Sequence, residues 1–138
     1  MPAIKIADNI YWVGVVDWNI RSFHGPAFHT PHGTTYNSYL IIDDKITLVD
    51  GVYGPFAEEL IANIREIVDP AKIDIMVVNH IESDHSGAIP HVMDIAPNAK
   101  VVCTRQGKIG LQKHYFKEWD FQVVKTNDSI NLGHYSLQ

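Results

Sequence analysis

The sequence predicts an α/β fold, and three observations carry the prediction. The first third of the chain has short apolar runs separated by turn residues, the pattern of antiparallel hairpins. From about residue 55 onward, apolar strands alternate with segments whose apolar residues recur at helical spacing, the pattern of strand–helix units. One of these strands, Ile75-Met76-Val77-Val78, runs directly into Asn79-His80-Ile81-Glu82-Ser83-Asp84-His85-Ser86-Gly87. A loop at the C-terminal end of a strand is where α/β proteins place ligands.

The elements follow in order. Residues 4–6 and 10–16 read as two strands broken at the Asp8-Asn9 turn. Residues 17–35 lack periodicity but carry Gly25, Pro26, Pro31 and Gly33 with His24, His29 and His32. A stretch of that length in a compact domain is expected to be a functional loop. Residues 36–42 and 46–49 form a hairpin over the polar tip Asp43-Asp44-Lys45, closed by Asp50-Gly51. A helix over 55–68 starts on Pro55, which suits the first helical position. It places Phe56, Leu60, Ile61, Ile64, Ile67 and Val68 on one face. Glu58 and Glu59 complement its dipole, and Asp69-Pro70 stops it. Beyond the strand at 75–78, a helix over 88–95 is expected with Ser86 as its N-cap. A strand at 100–103 leads to a helix over 105–114, capped by Thr104 and weakened by Gly107 and Gly110. Strands at 121–124, 129–132 and 135–138 complete the chain, the last two joined by the Gly133-His134 turn.

Composition narrows the function classes. A length of 138 residues fits one domain. No run is long and apolar enough to span a membrane, and residues 1–5 show no secretory core. A net charge of −5 without a Lys/Arg cluster speaks against nucleic acid. Cys103 is the single cysteine, so no internal disulfide forms, and a cytoplasmic location is expected. Eight histidines raise the expectation of a metal site.

The stretch 80–85 is where that expectation falls. In an extended segment His80, Glu82 and Asp84 share one side, and His85 approaches from another angle. Histidine alone suits zinc, whereas added carboxylates suit iron or manganese. Two carboxylates this close repel each other unless a cation lies between them.

Strand-His-x-His-x-Asp-His is the signature of the metallo-β-lactamase superfamily. Here Glu82 stands at the second histidine position, and that variant resembles the flavodiiron proteins, which reduce oxygen or nitric oxide at a non-haem di-iron centre. Further stretches carry the same resemblance: Val16 to Gly25, Thr34 to Leu40, Cys103-Thr104 and Val123 to Thr126. The resemblance implies a metallo-β-lactamase-like αββα sandwich, with residues 1–138 as its N-terminal half. It implies a single domain incomplete at the C-terminus, without the flavodoxin-like domain. His80 and Glu82 would bind one iron and Asp84 the other, with His85 beside the metals. His24 would line the substrate pocket, supported by Trp18 and Phe23. Electrons would reach the two irons from FMN, itself reduced by a rubredoxin-type donor, and the chain is expected to self-associate. The remaining ligands would lie beyond residue 138, so these residues alone are expected to be inactive. The alternatives are a zinc hydrolase of the wider superfamily, against which Glu82 speaks, and a non-catalytic interaction module.

The other candidates read as structural. His29 and His32 are expected to be exposed, and His91 and His114 to sit on helices. Cys103 is expected to be a small buried hydrophobe. Asp50 closes a turn from which its carboxylate could orient a ligand histidine. Trp12, Tyr36 and Tyr39 are expected to pack in the core or under loops.

Overall fold

The computed structural model describes residues 1–138. Its strands are β1 (Ile4–Ala7), β2 (Ile10–Trp12), β3 (Val15–Asp17), β4 (Ser22–Phe23), β5 (Phe28–His29), β6 (Thr34–Tyr36), β7 (Tyr39–Ile41), β8 (Thr47–Val49), β9 (Ile75–Val77), β10 (Lys100–Cys103), β11 (Phe121–Val123), β12 (Ile130–Asn131) and β13 (Ser136–Leu137). Its helices are α1 (Ala57–Arg65), α2 (Ser83–Ser86), α3 (Ile89–Ile95) and α4 (Arg105–Tyr115). The main sheet has the order β1-β2-β7-β8-β9-β10-β11. Pairing is antiparallel from β1 to β8 and parallel from β8 to β11. Hairpins therefore give way to strand–helix–strand crossovers where the sequence pattern changes.

Period-two alternation divides the sheet into two faces. Leu40, Leu48, Met76, Val101 and Cys103 point into one core with Leu60 and Ile64 of α1, Val92 and Met93 of α3, and Leu111 of α4. Their in-line neighbours Ile41, Ile75 and Val102 face the other way, against Leu132. All three crossover helices thus cover one face, and the β12–β13 ribbon covers part of the other. Each large aliphatic side chain buried in this way stabilises the fold by roughly 1.5–3 kcal/mol.

Two expected strands are each split. The run 10–16 leaves the main sheet at Val13-Gly14, and 36–42 leaves it at Asn37-Ser38; β3 and β6 then pair as a separate antiparallel ribbon. A β-carbon at Gly14 would collide with the Tyr36 carbonyl oxygen, so only glycine lets the two strands approach. Buried Asn63 of α1 donates to the Val13 and Gly14 carbonyls at 3.1 and 3.0 Å, satisfying acceptors that the break would otherwise leave unpaired. The segment expected to be a loop, 17–35, contains the short hairpin β4–β5.

Helix ends also differ from expectation. Pro55 starts a 3-10 turn, Gly54–Phe56, and α1 proper begins at Ala57. Ser86 does not cap α3. It is fully buried inside α2, and α3 starts after Ala88 without a side-chain cap. Thr104 caps α4 as expected, its hydroxyl accepting from Gly107 N at 3.1 Å.

The C-terminal ribbon is latched to the β7–β8 turn by Asp43. Its carboxylate accepts from the backbone N–H groups of Asp44 (2.8 Å), His134 (3.1 Å) and Tyr135 (2.7 Å). The Tyr135 N–H contributes most to lowering the Asp43 pKa to about 2, because these donors favour the charged form.

Candidate metal centre

The site is built where β9 ends. Asp50, in the left-handed region at φ 56°, accepts from Asn79 N at 2.8 Å and from Asn79 Nδ2 at 3.3 Å. That fixes the residue immediately before His80. The extended chain expected through 80–84 stops at Glu82. From there His85 N and Ser86 N both donate to the Glu82 carbonyl, and Gly87 N donates to Ser83 O, closing the helical turn α2. Asp84 and His85 therefore project from a helix and not from a strand, which is why His85 departs from the alternation.

Backbone holds this turn against the segment after β8. Gly51 N donates to His85 O, and Ala88 N donates to Val52 O, each at 2.9 Å. A β-carbon at Gly87 would lie 2.5 Å from Gly54 N and 2.6 Å from Ser83 O, so the two segments touch main chain to main chain.

The turn brings together His80, Glu82 and Asp84, whose donor atoms all lie within 4.8 Å of one another. His80 Nε2 and Glu82 Oε2 are 3.6 Å apart. Two donors about 2.1 Å from one ion at the tetrahedral angle would be about 3.4 Å apart, so this pair fits a single cation. His85 lies outside the three-residue cluster. Its Nε2 faces Asp84 Oδ2 at 3.3 Å, its ring meets the His80 ring edge-on at 5.3 Å, and its buried Nδ1 has no hydrogen-bond partner. The side chains of His80, Glu82 and Asp84 make no hydrogen bond to the backbone. One imidazole and two carboxylates with free lone pairs form a donor set suited to a hard divalent ion such as iron.

A cavity of about 340 Å³ opens on this cluster, lined by Glu82, Ser83 and Asp84 together with Phe23, His24, Tyr36 and Tyr53. His24 comes from the tip of the β4–β5 hairpin, with φ 53°, and its Nε2 is 4.0 Å from Glu82 Oε2. The Phe23 and Phe28 rings meet it edge-on at 4.5 and 6.2 Å. Trp18, expected to support this loop, is instead 64% exposed and enters through its carbonyl, which accepts from Arg21 at 2.6 Å. His29, His32, His91 and His114 are exposed. Cys103 is buried, and burial pushes its thiol pKa up. A larger cavity of about 470 Å³, on the ribbon side of the sheet, contains no histidine.

Asp17 and Tyr36 are parts of the site that sequence reasoning missed. Asp17 Oδ1 accepts from Asn19 N and Ile20 N, and Oδ2 accepts from the Tyr36 hydroxyl at 3.1 Å. The carboxylate thus starts the loop that carries His24. Burial, then this hydrogen bond, raises the Tyr36 pKa well above the ordinary tyrosine value, so the cavity wall presents a neutral phenol. The Asp17-x-Asn19-Ile20 spacing permits such a side-chain turn, but nothing local pairs it with Tyr36.

A family profile described as the ODP family β-lactamase matches residues 34–138. The chain belongs to this family. Its resemblance to the flavodiiron proteins holds across the fold. The structure of rubredoxin oxygen:oxidoreductase from Desulfovibrio gigas superposes with a TM-score of 0.92 at 40% identity, covering 97% of this chain and 33% of that one. The flavodiiron protein of Giardia intestinalis superposes with a TM-score of 0.92 at 34% identity, covering 99% and 33%. A nitric oxide reductase of Moorella thermoacetica is 56% identical over 135 residues, 97% of this chain and 34% of that protein. The chain therefore spans about a third of the length of these relatives. The expected α/β, metallo-β-lactamase-like fold stands, and no helix is long and apolar enough to cross a membrane.

Proposed function

We propose that these residues form part of a flavodiiron oxidoreductase that reduces oxygen or nitric oxide. The observation that carries this reading is the convergence of the His80, Glu82 and Asp84 donor atoms beside a cavity that Glu82 and Asp84 line together with His24. His80 and Glu82 hold one iron and Asp84 the second. His85 stands beside them and limits where Asp84 can point. Bound iron supplies the redox chemistry and the open coordination positions. The chain's own residues do the rest. Phe23 and Tyr53 give the cavity an apolar part that an uncharged diatomic can use, and His24 adds an imidazole to its lining. FMN and the remaining metal ligands would come from outside these residues, and a rubredoxin-type donor would be a partner of the intact protein. The Desulfovibrio and Moorella relatives support this by what their names describe. A cytoplasmic location and self-association complete the proposal.

Anaerobic loading with ferrous ion and with zinc, followed by metal analysis, tests it. Iron should be retained by the wild-type chain and lost by Glu82→Ala, and the loaded chain alone should consume neither gas. Tight zinc retention with ester hydrolysis, and no iron retention, would sink the reading in favour of a hydrolase.

A further inference from the structure

No hydrogen bond to the rest of the backbone holds the side chains of His80, Glu82 or Asp84, which meet only neighbouring His and acidic side chains, so their placement depends on the backbone of 80–86. That backbone is tied to α4 at two points. Ser86 is fully buried, and its Oγ lies 2.7 Å from the Ile81 carbonyl and 2.7 Å from the Tyr115 hydroxyl. The Ile81 carbonyl can only accept, so Ser86 spends its one proton there and Tyr115 must donate to Ser86. Tyr115 sits on the last turn of α4, where the His114 and Trp119 rings pack against it at 4.6 and 6.3 Å. The second tie is steric. A β-carbon at Gly110 would collide with Ile81 Cδ1 as it now lies, so the side chain between two ligands rests in a notch on α4 and would have to move if the notch were filled. Glycine is the worst helix former after proline, and nothing else at Gly110 accounts for its place in mid-helix.

We propose that α4 positions the metal-ligand turn, with Tyr115 acting through Ser86 and Gly110 acting through Ile81. This rests on reading His80, Glu82 and Asp84 as metal ligands. Neither Tyr115 nor Gly110 touches metal or substrate. They fix the pitch of Ile81 relative to Ser86, and with it the separation of Glu82 from Asp84.

Two variants test the idea in the full chain. Tyr115→Phe removes one hydroxyl and keeps the ring, while Ser86 still has its Ile81 partner. Gly110→Ala improves helix propensity but fills the notch, and the obstructing atom is the mobile end of a half-exposed side chain. Cobalt(II) titration, read from its visible spectrum, should show each variant binding about tenfold more weakly, the lower end for lost outer-shell support. Without metal, hydrogen exchange should speed up at 80–86 in both variants and stay unchanged in β7 and β8. The melting temperature of Gly110→Ala should not fall, which separates positioning from general destabilisation. Unchanged exchange at 80–86 overturns the proposal whether or not metal binds. Faster exchange in the variants, with no cobalt bound by the wild type, leaves α4 as the support of the turn and sinks the metal reading instead. Wild-type binding with unchanged variant affinity overturns the positioning role.

Discussion

Two carboxylate sites lie at opposite ends of the central strands of one sheet, and they are used in opposite ways. Asp43, at the β7–β8 turn, spends its oxygens on three backbone N–H groups, and its pKa falls to about 2. Glu82 and Asp84, after β9, accept no hydrogen bond from any backbone group, yet stand within 4.8 Å of each other and of His80. Residue type does not distinguish them, and neither does position near a strand end. What differs is where the lone pairs go. A carboxylate whose lone pairs are used by main-chain donors holds the chain together. One whose lone pairs are left free is available to a cation, and the fold tolerates the like-charge proximity.

The contrast can be tested from both sides. The largest effect is expected for Asp84→Ala, which should weaken iron or cobalt binding by more than about 100-fold, beyond the usual loss from an outer-shell change. Its melting temperature should stay close to wild type, and a large fall would show that Asp84 also holds structure. Asp43→Ala should do the reverse. Metal affinity should hold, while the melting temperature drops and the amides of β12 and β13 lose exchange protection. Acid should act selectively as well. The Asp43 pKa is lowered on folding from 3.8 to about 2, so its contribution to stability is complete above about pH 3.8. It declines as pH falls and is gone below about 2. Ribbon amides followed across that window should lose protection in the wild type and show no such step in Asp43→Asn. The smallest effect belongs to His24→Ala. The His24–Glu82 contact is long and exposed, and such a pair is worth at most about 1 kcal/mol, so metal affinity should change less than about fivefold. A complete loss would make His24 a ligand.

The sequence made the strand–helix alternation, the Thr104 cap and the ligand-bearing stretch legible, because each depends on neighbours within a few positions. What it hid depends on contacts across the fold. The splits at Val13-Gly14 and Asn37-Ser38 arise because Gly14 meets the Tyr36 carbonyl, a contact between residues 22 positions apart in sequence. Ser86 has the composition and place of an N-cap, but burial and the Tyr115 hydroxyl claim its side chain. Gly110 reads locally as a helix defect and has a use only beside Ile81. The extended reading of 80–84 failed because helical backbone bonds onto the Glu82 carbonyl outweigh a strand pattern that has no partner strand there. Even so, His80, Glu82 and Asp84 come together, since the change of conformation falls after Glu82 and rotates Asp84 back toward the other two.

The main-chain contacts of Gly51, Gly54 and Gly87 have a consequence for how such a site can diversify. The frame of the turn depends on glycines where an added β-carbon would crowd main chain, most severely at Gly87, while its donors make no hydrogen bond to that frame. The first set tolerates little exchange, and the second can be rewritten one residue at a time. An imidazole in place of the carboxylate at residue 82 would change which ion the turn prefers without disturbing a single backbone hydrogen bond that shapes it. A scaffold divided in this way can acquire a new metal chemistry by point substitution and keep its architecture throughout.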